Sequence, residues 1–246
     1  MITLGISGFS GKMGQRIYEL AKQNPQLKVV VGLEREKHPD IGSLIGSIKV
    51  SDNLDEIKNC DCLIDFSMPQ ATVNNLSYLL KYKKCAVIGT TGLSDEQQAN
   101  ITQAAKKIAI VFSPNMSVGV NVFFTLVTMA AGALRSYTAT IEETHHIHKK
   151  DAPSGTAKKI AQIINEEGFA LKTEDIRSIR KDEIIGDHKI VFESDVDTIE
   201  ITHSAKTRDI FAKGALLAAQ WIAQKKNGLY TMNDVLSLNA GCGRKK

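Results

Sequence analysis

Short apolar runs separated by helix-spaced stretches dominate the first half of the chain. Ile2-Thr3-Leu4-Gly5-Ile6-Ser7 and the stretch from Leu27 to Leu33 read as buried strands, since a run of four to eight apolar residues suits a strand covered on both faces. Between them Ile17, Leu20 and Ala21 recur at helical spacing and stop before Asn24-Pro25. Cys62 to Phe66, Cys85 to Ile88 and Ile108 to Phe112 repeat the strand pattern. A helix is predicted from Ala71 to Leu80, and another opens at Ser94, with Gln97 placed three residues on as a capping box requires. Regular alternation of strand and helix predicts an α/β fold around a parallel sheet.

From Val118 the pattern changes. Val118 to Leu134 is a long, nearly uncharged helix, too apolar to face water alone. Tyr137 to Ile141 is a strand, and Ala157, Ile160, Ala161 and Ile164 mark a helix that Gly168 can end. Short strands follow at Ile176 to Ile179, Lys189 to Phe192 and Thr198 to Thr202, the last two joined through Glu193 to Asp197 as in a hairpin. A second, α+β domain with a mixed sheet is expected, its outer face available for self-association. The helix from Ile210 to Lys225 and the segment from Leu229 to Leu238 are expected to return to the first domain. Residues 1–117 with 209–246 then form one domain and 118–208 the other.

Glycines sharpen the picture at the first strand–helix turn, Gly8-Phe9-Ser10-Gly11-Lys12-Met13-Gly14. A glycine turn between an opening strand and a helix, with acidic Glu34 after the second strand, is a Rossmann dinucleotide-binding arrangement. Its Gly-x-x-Gly-x-x-Gly spacing departs from the usual Gly-x-Gly-x-x-Gly. Gly8 permits the turn, Gly11 the approach of a pyrophosphate, and Gly14 close helix packing. Glu34 is placed for ribose hydroxyls, and Lys12 and Arg35 for a 2′-phosphate. The later strands also end in small or polar loops, at Gly89-Thr90-Thr91-Gly92 and Ser113-Pro114-Asn115-Met116-Ser117, where an open parallel sheet lines its ligand crevice.

The second domain carries Thr144-His145-His146-Ile147-His148-Lys149-Lys150-Asp151-Ala152-Pro153-Ser154-Gly155-Thr156-Ala157, with three of the chain's six histidines. Ser154 stands at an N-cap position, so the Gly155 and Thr156 amides open a helix and offer an anion site. Imidazoles, a fixed cation and free amides together suit a substrate with carboxylates that must also receive a proton. A merely solvated loop is the bland alternative. Histidine-bound metal is another, opposed by the adjacent Lys149 and Lys150, and no metal is expected.

Composition bounds the rest. With 43% hydrophobic and 24% charged residues in 246, the chain is an ordinary globular protein with enough length for two modest domains. No apolar run approaches the ~20 residues of a membrane span, and the strand at the N-terminus leaves no basic leader region. Cys60, Cys62, Cys85 and Cys242 have neither disulfide-framework nor zinc-ribbon spacing, which fits reduced thiols in the cytoplasm. The net charge of +4 is mild and partly terminal, in Arg244-Lys245-Lys246. It favours small anionic ligands and gives nucleic-acid or membrane binding no support.

These motifs, with Pro114 to Asn121 and Thr202-His203-Ser204-Ala205 followed by Arg208, resemble the 4-hydroxy-tetrahydrodipicolinate reductase (dihydrodipicolinate reductase) family over nearly the whole chain. The resemblance implies NAD(P)H-dependent reduction of 4-hydroxy-tetrahydrodipicolinate, with loss of water, in lysine and diaminopimelate biosynthesis by a homotetramer. It implies NADH or NADPH contacts at Gly8, Phe9, Ser10, Gly11, Lys12, Met13, Glu34, Arg35, Gly89, Thr90, Thr91, Ser113, Pro114, Asn115 and Met116. It makes His145 the proton donor and Lys149 the second catalytic cation, and puts the substrate, a small dicarboxylate, at His146, Gly155 and Thr156 beside Ser154. Two departures stand out: Lys12 where arginine is common, and Arg180-Lys181-Asp182 where many relatives read Arg-Gly-Gly. Another Rossmann oxidoreductase acting on an imine or amino acid, of aspartate dehydrogenase type, and a non-catalytic NAD(P) sensor are the rival readings.

Overall fold

The structure is a computed structural model that describes residues Met1–Leu238. Cys242, the Arg244-Lys245-Lys246 terminus and the end of the expected 209–246 segment lie outside the described residues. The first elements are β1 (Ile2–Ser7), α1 (Lys12–Ala21), β2 (Leu27–Leu33), β3 (Leu44–Ile45), β4 (Ile48–Ser51), β5 (Cys62–Asp65), α2 (Pro69–Tyr82), β6 (Cys85–Ile88), α3 (Asp95–Ala105) and β7 (Ala109–Phe112). Then come α4 (Val118–Ala133), β8 (Thr138–His145), α5 (Gly155–Glu166), β9 (Arg177–Arg180), β10 (Gly186–Glu193), β11 (Thr198–Ala205), α6 (Asp209–Ile222), β12 (Gly228–Tyr230) and α7 (Met232–Val235). The described residues divide into two compact units, one of Met1–Ser117 with residues 211–238, the other of Val118–Ile210.

Unit 1 holds an eight-stranded sheet in the order β12-β7-β6-β5-β1-β2-β4-β3. All its pairings are parallel except β3 with β4. The order reverses at β1, which pairs with both β2 and β5; such a switch point opens a crevice beyond the strands' carboxyl ends. Every residue of β5 is buried, as a strand covered on both faces requires. Leu4, Ile6 and Val29 pack on one face with Ile17 of α1 and Ala215, Ala219 and Ile222 of α6. Val31, Leu63 and Ile88 pack on the other with Leu76 of α2 and Ile101 of α3. The capping box is present: Gln97 N–H donates to Ser94 Oγ at 3.3 Å, and Ser94 N–H to Gln97 Oε1 at 2.9 Å. The β3–β4 hairpin was not predicted, because strands of two and four residues carry too few positions to establish alternation.

Unit 2 holds a four-stranded sheet, β11-β10-β8-β9, in which only β8 and β9 run parallel. β10 alternates buried and half-buried residues, the mark of a sheet covered on one face. On that face Ile141, Ile190 and Phe192 meet Phe123 and Val127 of α4 and Ile160 and Ile164 of α5. The opposite face carries ion pairs, Arg177–Glu142 at 3.0 Å and Lys189–Glu200 at 2.6 Å. β8 runs four residues past the predicted end at Ile141, since Glu143 and His145 continue the inward-facing alternation with polar side chains.

Candidate active site

In unit 1, β1 ends in the glycine turn. Gly8 has φ +78°, and a Cβ there would lie 2.9 Å from the Phe66 carbonyl oxygen. At Gly14 a Cβ would come within 2.2 Å of the Gly8 oxygen, so α1 packs directly on the turn. The Gly8 and Phe9 amides donate to the Leu33 carbonyl at 3.0 and 3.1 Å, which ties the turn to the end of β2. Glu34, next in the chain, accepts from the Ser10 amide at 2.8 Å through Oε1. No side chain caps α1, and its first turn holds no acid, so its amide dipoles keep their capacity for an anion. Ser10 Oγ is buried without a hydrogen-bond partner among the described residues. Exposed Lys12 and Arg35 flank the turn. These features fit a dinucleotide, with its pyrophosphate on the turn and a ribose at Glu34.

The remaining expected cofactor residues differ in what they can offer. Phe9 and Met116 are core side chains, 0% and 1% exposed, which leaves only their backbone for a ligand. Thr90 is buried, its hydroxyl engaged with Thr72 and Asp65. Gly89 lies under the Phe66 ring, where a Cβ would meet it at 2.5 Å. Ser113 Oγ donates to the Asn115 carbonyl at 2.8 Å and shapes that loop. Met13 and Asn115 are half-buried, while Gly11, Thr91 and Pro114 are exposed.

In unit 2, His145 is the last residue of β8 and 8% exposed. Its Nδ1 is hydrogen-bonded to Glu143, two positions back on the same strand face. Glu143 is fully buried and its other oxygen accepts from Arg180 Nη2 at 2.9 Å. Burial would raise the Glu143 carboxyl, but Arg180 and His145 outweigh it and hold it below the ordinary carboxylate value. Burial lowers the His145 imidazole, with Glu143 opposing and Lys149 and Arg180 adding to the fall. His188, from β10, meets His145 edge-on at 5.1 Å between ring centroids. Desolvation pushes its imidazole down to about 3.

Ser154 caps α5 by accepting from the Ala157 amide at 3.2 Å, as its sequence position predicts. It is 2% exposed and its hydroxyl also lies 3.2 Å from His188 Nε2. Its side chain therefore holds the helix start in place, while exposed Gly155 and half-buried Thr156 present the amides. Lys149 Nζ sits 2.7 Å from Asp151 Oδ1. His146 Nε2 receives Arg208 Nη2 at 3.3 Å, and its buried Nδ1 has no partner among the described residues. Glu143, His145 and His188 also form a group of metal-ligand type. Both oxygens of the Glu143 carboxylate are already engaged, by Arg180 and by His145 Nδ1.

The sequence reading left out Glu143 and His188, and took Arg180 only as part of a departing loop. Their strand positions held the signal. Glu143 and His145 alternate with Ile141 toward the core, and His188 pairs across the sheet with Glu143 and with His203.

A glycine turn at the switch point of one sheet and a buried carboxylate–imidazole pair on another define a two-unit Rossmann-type oxidoreductase. Comparison with known proteins narrows the class. The family models "Dihydrodipicolinate reductase, N-terminus" and "Dihydrodipicolinate reductase, C-terminus" match residues 2–116 and 119–236. The 4-hydroxy-tetrahydrodipicolinate reductase of Methanocorpusculum labreanum is 39% identical, over 97% of this chain and 100% of its own. That of Caldanaerobacter subterraneus is 40% identical, over 96% and 98%. A dipicolinate-bound dihydrodipicolinate reductase from Paenisporosarcina superposes with a TM-score of 0.82 at 26% identity, covering 94% of this chain and 97% of the other. The chain belongs to the dihydrodipicolinate reductase family. Aspartate dehydrogenase of Thermotoga maritima, 13% identical with a TM-score of 0.53 over 89% and 96% of the two chains, shares the fold alone.

Proposed function

We propose that this chain reduces 4-hydroxy-tetrahydrodipicolinate to tetrahydrodipicolinate, with loss of water, in lysine and diaminopimelate biosynthesis. NADH or NADPH, held at the glycine turn with Glu34 at a ribose and Lys12 and Arg35 near a 2′-position, supplies the hydride. The observation that carries the reading is His145, a buried imidazole oriented by a carboxylate, beside Lys149 and the open start of α5 in a chain matched by the family along both units.

His145 gives a proton to the carbon next to the one that receives hydride, a task suited to imidazole near neutral pH. Lys149 exchanges its Asp151 partner for a substrate carboxylate and stabilises charge there. The Gly155 and Thr156 amides, with His146, hold a carboxylate at the start of α5. Loss of water leaves a conjugated imine, and one hydride with one proton then adds across its carbon–carbon double bond, which balances the reduction.

The relative whose structure carries dipicolinate points to a planar dicarboxylate site. Pyridine-2,6-dicarboxylate should inhibit NAD(P)H oxidation competitively with the 4-hydroxy substrate. Absence of both turnover and inhibition at millimolar concentration would overturn the reading. A homotetramer formed through the sheet of unit 2, and a cytoplasmic location, accompany this proposal. No described helix is long and apolar enough to cross a membrane.

A further inference from the structure

We propose that Glu143 is a positioning residue for the reduction: clamped by Arg180, it fixes His145 with Nδ1 protonated, so that Nε2 alone passes the proton to substrate. The proposal rests on His145 acting as the proton donor. It goes beyond that reading by assigning what aims the donor and what opposes the loss of its charge.

The geometry comes from strand register. Residues 143 and 145 of β8 share the inward face, and Arg180 of the neighbouring β9 pairs with His145. One guanidinium therefore reaches Glu143 Oε1 at 2.9 Å, the Asp151 carbonyl at 2.6 Å and the Lys149 carbonyl at 3.3 Å. The Lys181 amide donates to the His145 carbonyl at 2.8 Å, and the Ile147 amide to the Asp182 carbonyl at 3.2 Å. The segment that departs from many relatives thus braces both the donor strand and the loop that carries Lys149. Asp182 adopts φ +49° to do so.

A fully buried carboxylate is costly unless every lone pair is used. Here one oxygen faces Arg180 and the other His145. The groups that face His145 are Glu143 on its own strand, Arg180 from β9, His188 from β10, and Lys149 with Asp151 from the following loop. His188 stays neutral, its Nε2 beside Ser154 Oγ, so it does not compete for the proton. Glu143 is an anion in direct contact with the ring. On the ring's other edge Gly186 leaves Nε2 uncrowded: a Cβ there would lie 2.9 Å from it.

The proton balance is simple. The imidazolium releases its Nε2 proton to substrate carbon and becomes the Nδ1–H tautomer, still donating to Glu143. Glu143 remains ionised against Arg180, and solvent restores the Nε2 proton after product leaves. Without the carboxylate, burial and the Lys149 and Arg180 charges act unopposed and the imidazolium form is lost at lower pH.

The test is the pH profile of kcat for Glu143→Gln beside wild type and His145→Gln. In Glu143→Gln the alkaline limb should move acidward by about 1 to 3 pH units, so that turnover lost at neutral pH is partly recovered in acid, with cofactor Kd unchanged. An unshifted profile, or a loss equal at every pH, would overturn the proposal. Normal turnover by His145→Gln would instead sink the donor assignment on which it rests. Imidazole nitrogen NMR of the wild-type enzyme gives a reading that needs no variant. Neutral His145 should be the Nδ1–H tautomer, and an Nε2–H tautomer refutes the positioning role.

Discussion

His145, His188 and His203 share one physical circumstance, burial that lowers each imidazole below its ordinary value. The folded chain therefore binds fewer protons than the unfolded chain once pH falls beneath the ordinary imidazole value, about 6.5. Stability from these residues is complete above that pH and declines as pH drops, down to about 3 in the case of His188. Thermal melting should accordingly occur at a lower temperature near pH 5 than near pH 7.5. Equal melting temperatures would contradict the burial of neutral imidazoles. Glu143, held below the ordinary carboxylate value, contributes stability that is lost only at pH beneath that value, outside the interval between pH 5 and 7.5.

At the scale of elements, α5 links stability to the site. Ser154 caps the helix and engages His188, so Ser154→Ala removes a cap and leaves a buried imidazole nitrogen without its neighbour. The expected cost is about 1–2 kcal/mol, or a fall of roughly 2–8 °C in Tm; an unchanged melting curve would refute the capping role. Ser154 shows how much local signal the sequence carried. Its cap, the Ser94–Gln97 box and the glycine turn were legible because each depends on residues within a few positions. The β3–β4 hairpin was not legible, and neither was the extension of β8. Glu143 reads locally as a solvated strand residue, and only pairing with β9 and β10 surrounds it. Arg180 was visible as an oddity in a loop, but three of its acceptors, on Glu143, Lys149 and Asp151, lie 29 to 37 positions back in the chain.

For the molecule as a whole, hydrophobic periodicity specified a parallel sheet and a second mixed sheet, because fully buried and one-face strands have different patterns. On the proposed reading, residue chemistry divides the work, with a dinucleotide turn in one unit and a proton donor in the other. The central claim is that the second unit supplies the proton through His145. It is tested most directly by the single-turnover rate of NAD(P)H oxidation in His145→Gln with 4-hydroxy-tetrahydrodipicolinate saturating. The account predicts a loss of about 100- to 10,000-fold, with cofactor affinity and melting temperature close to those of wild type. A rate within a fewfold of wild type would contradict it.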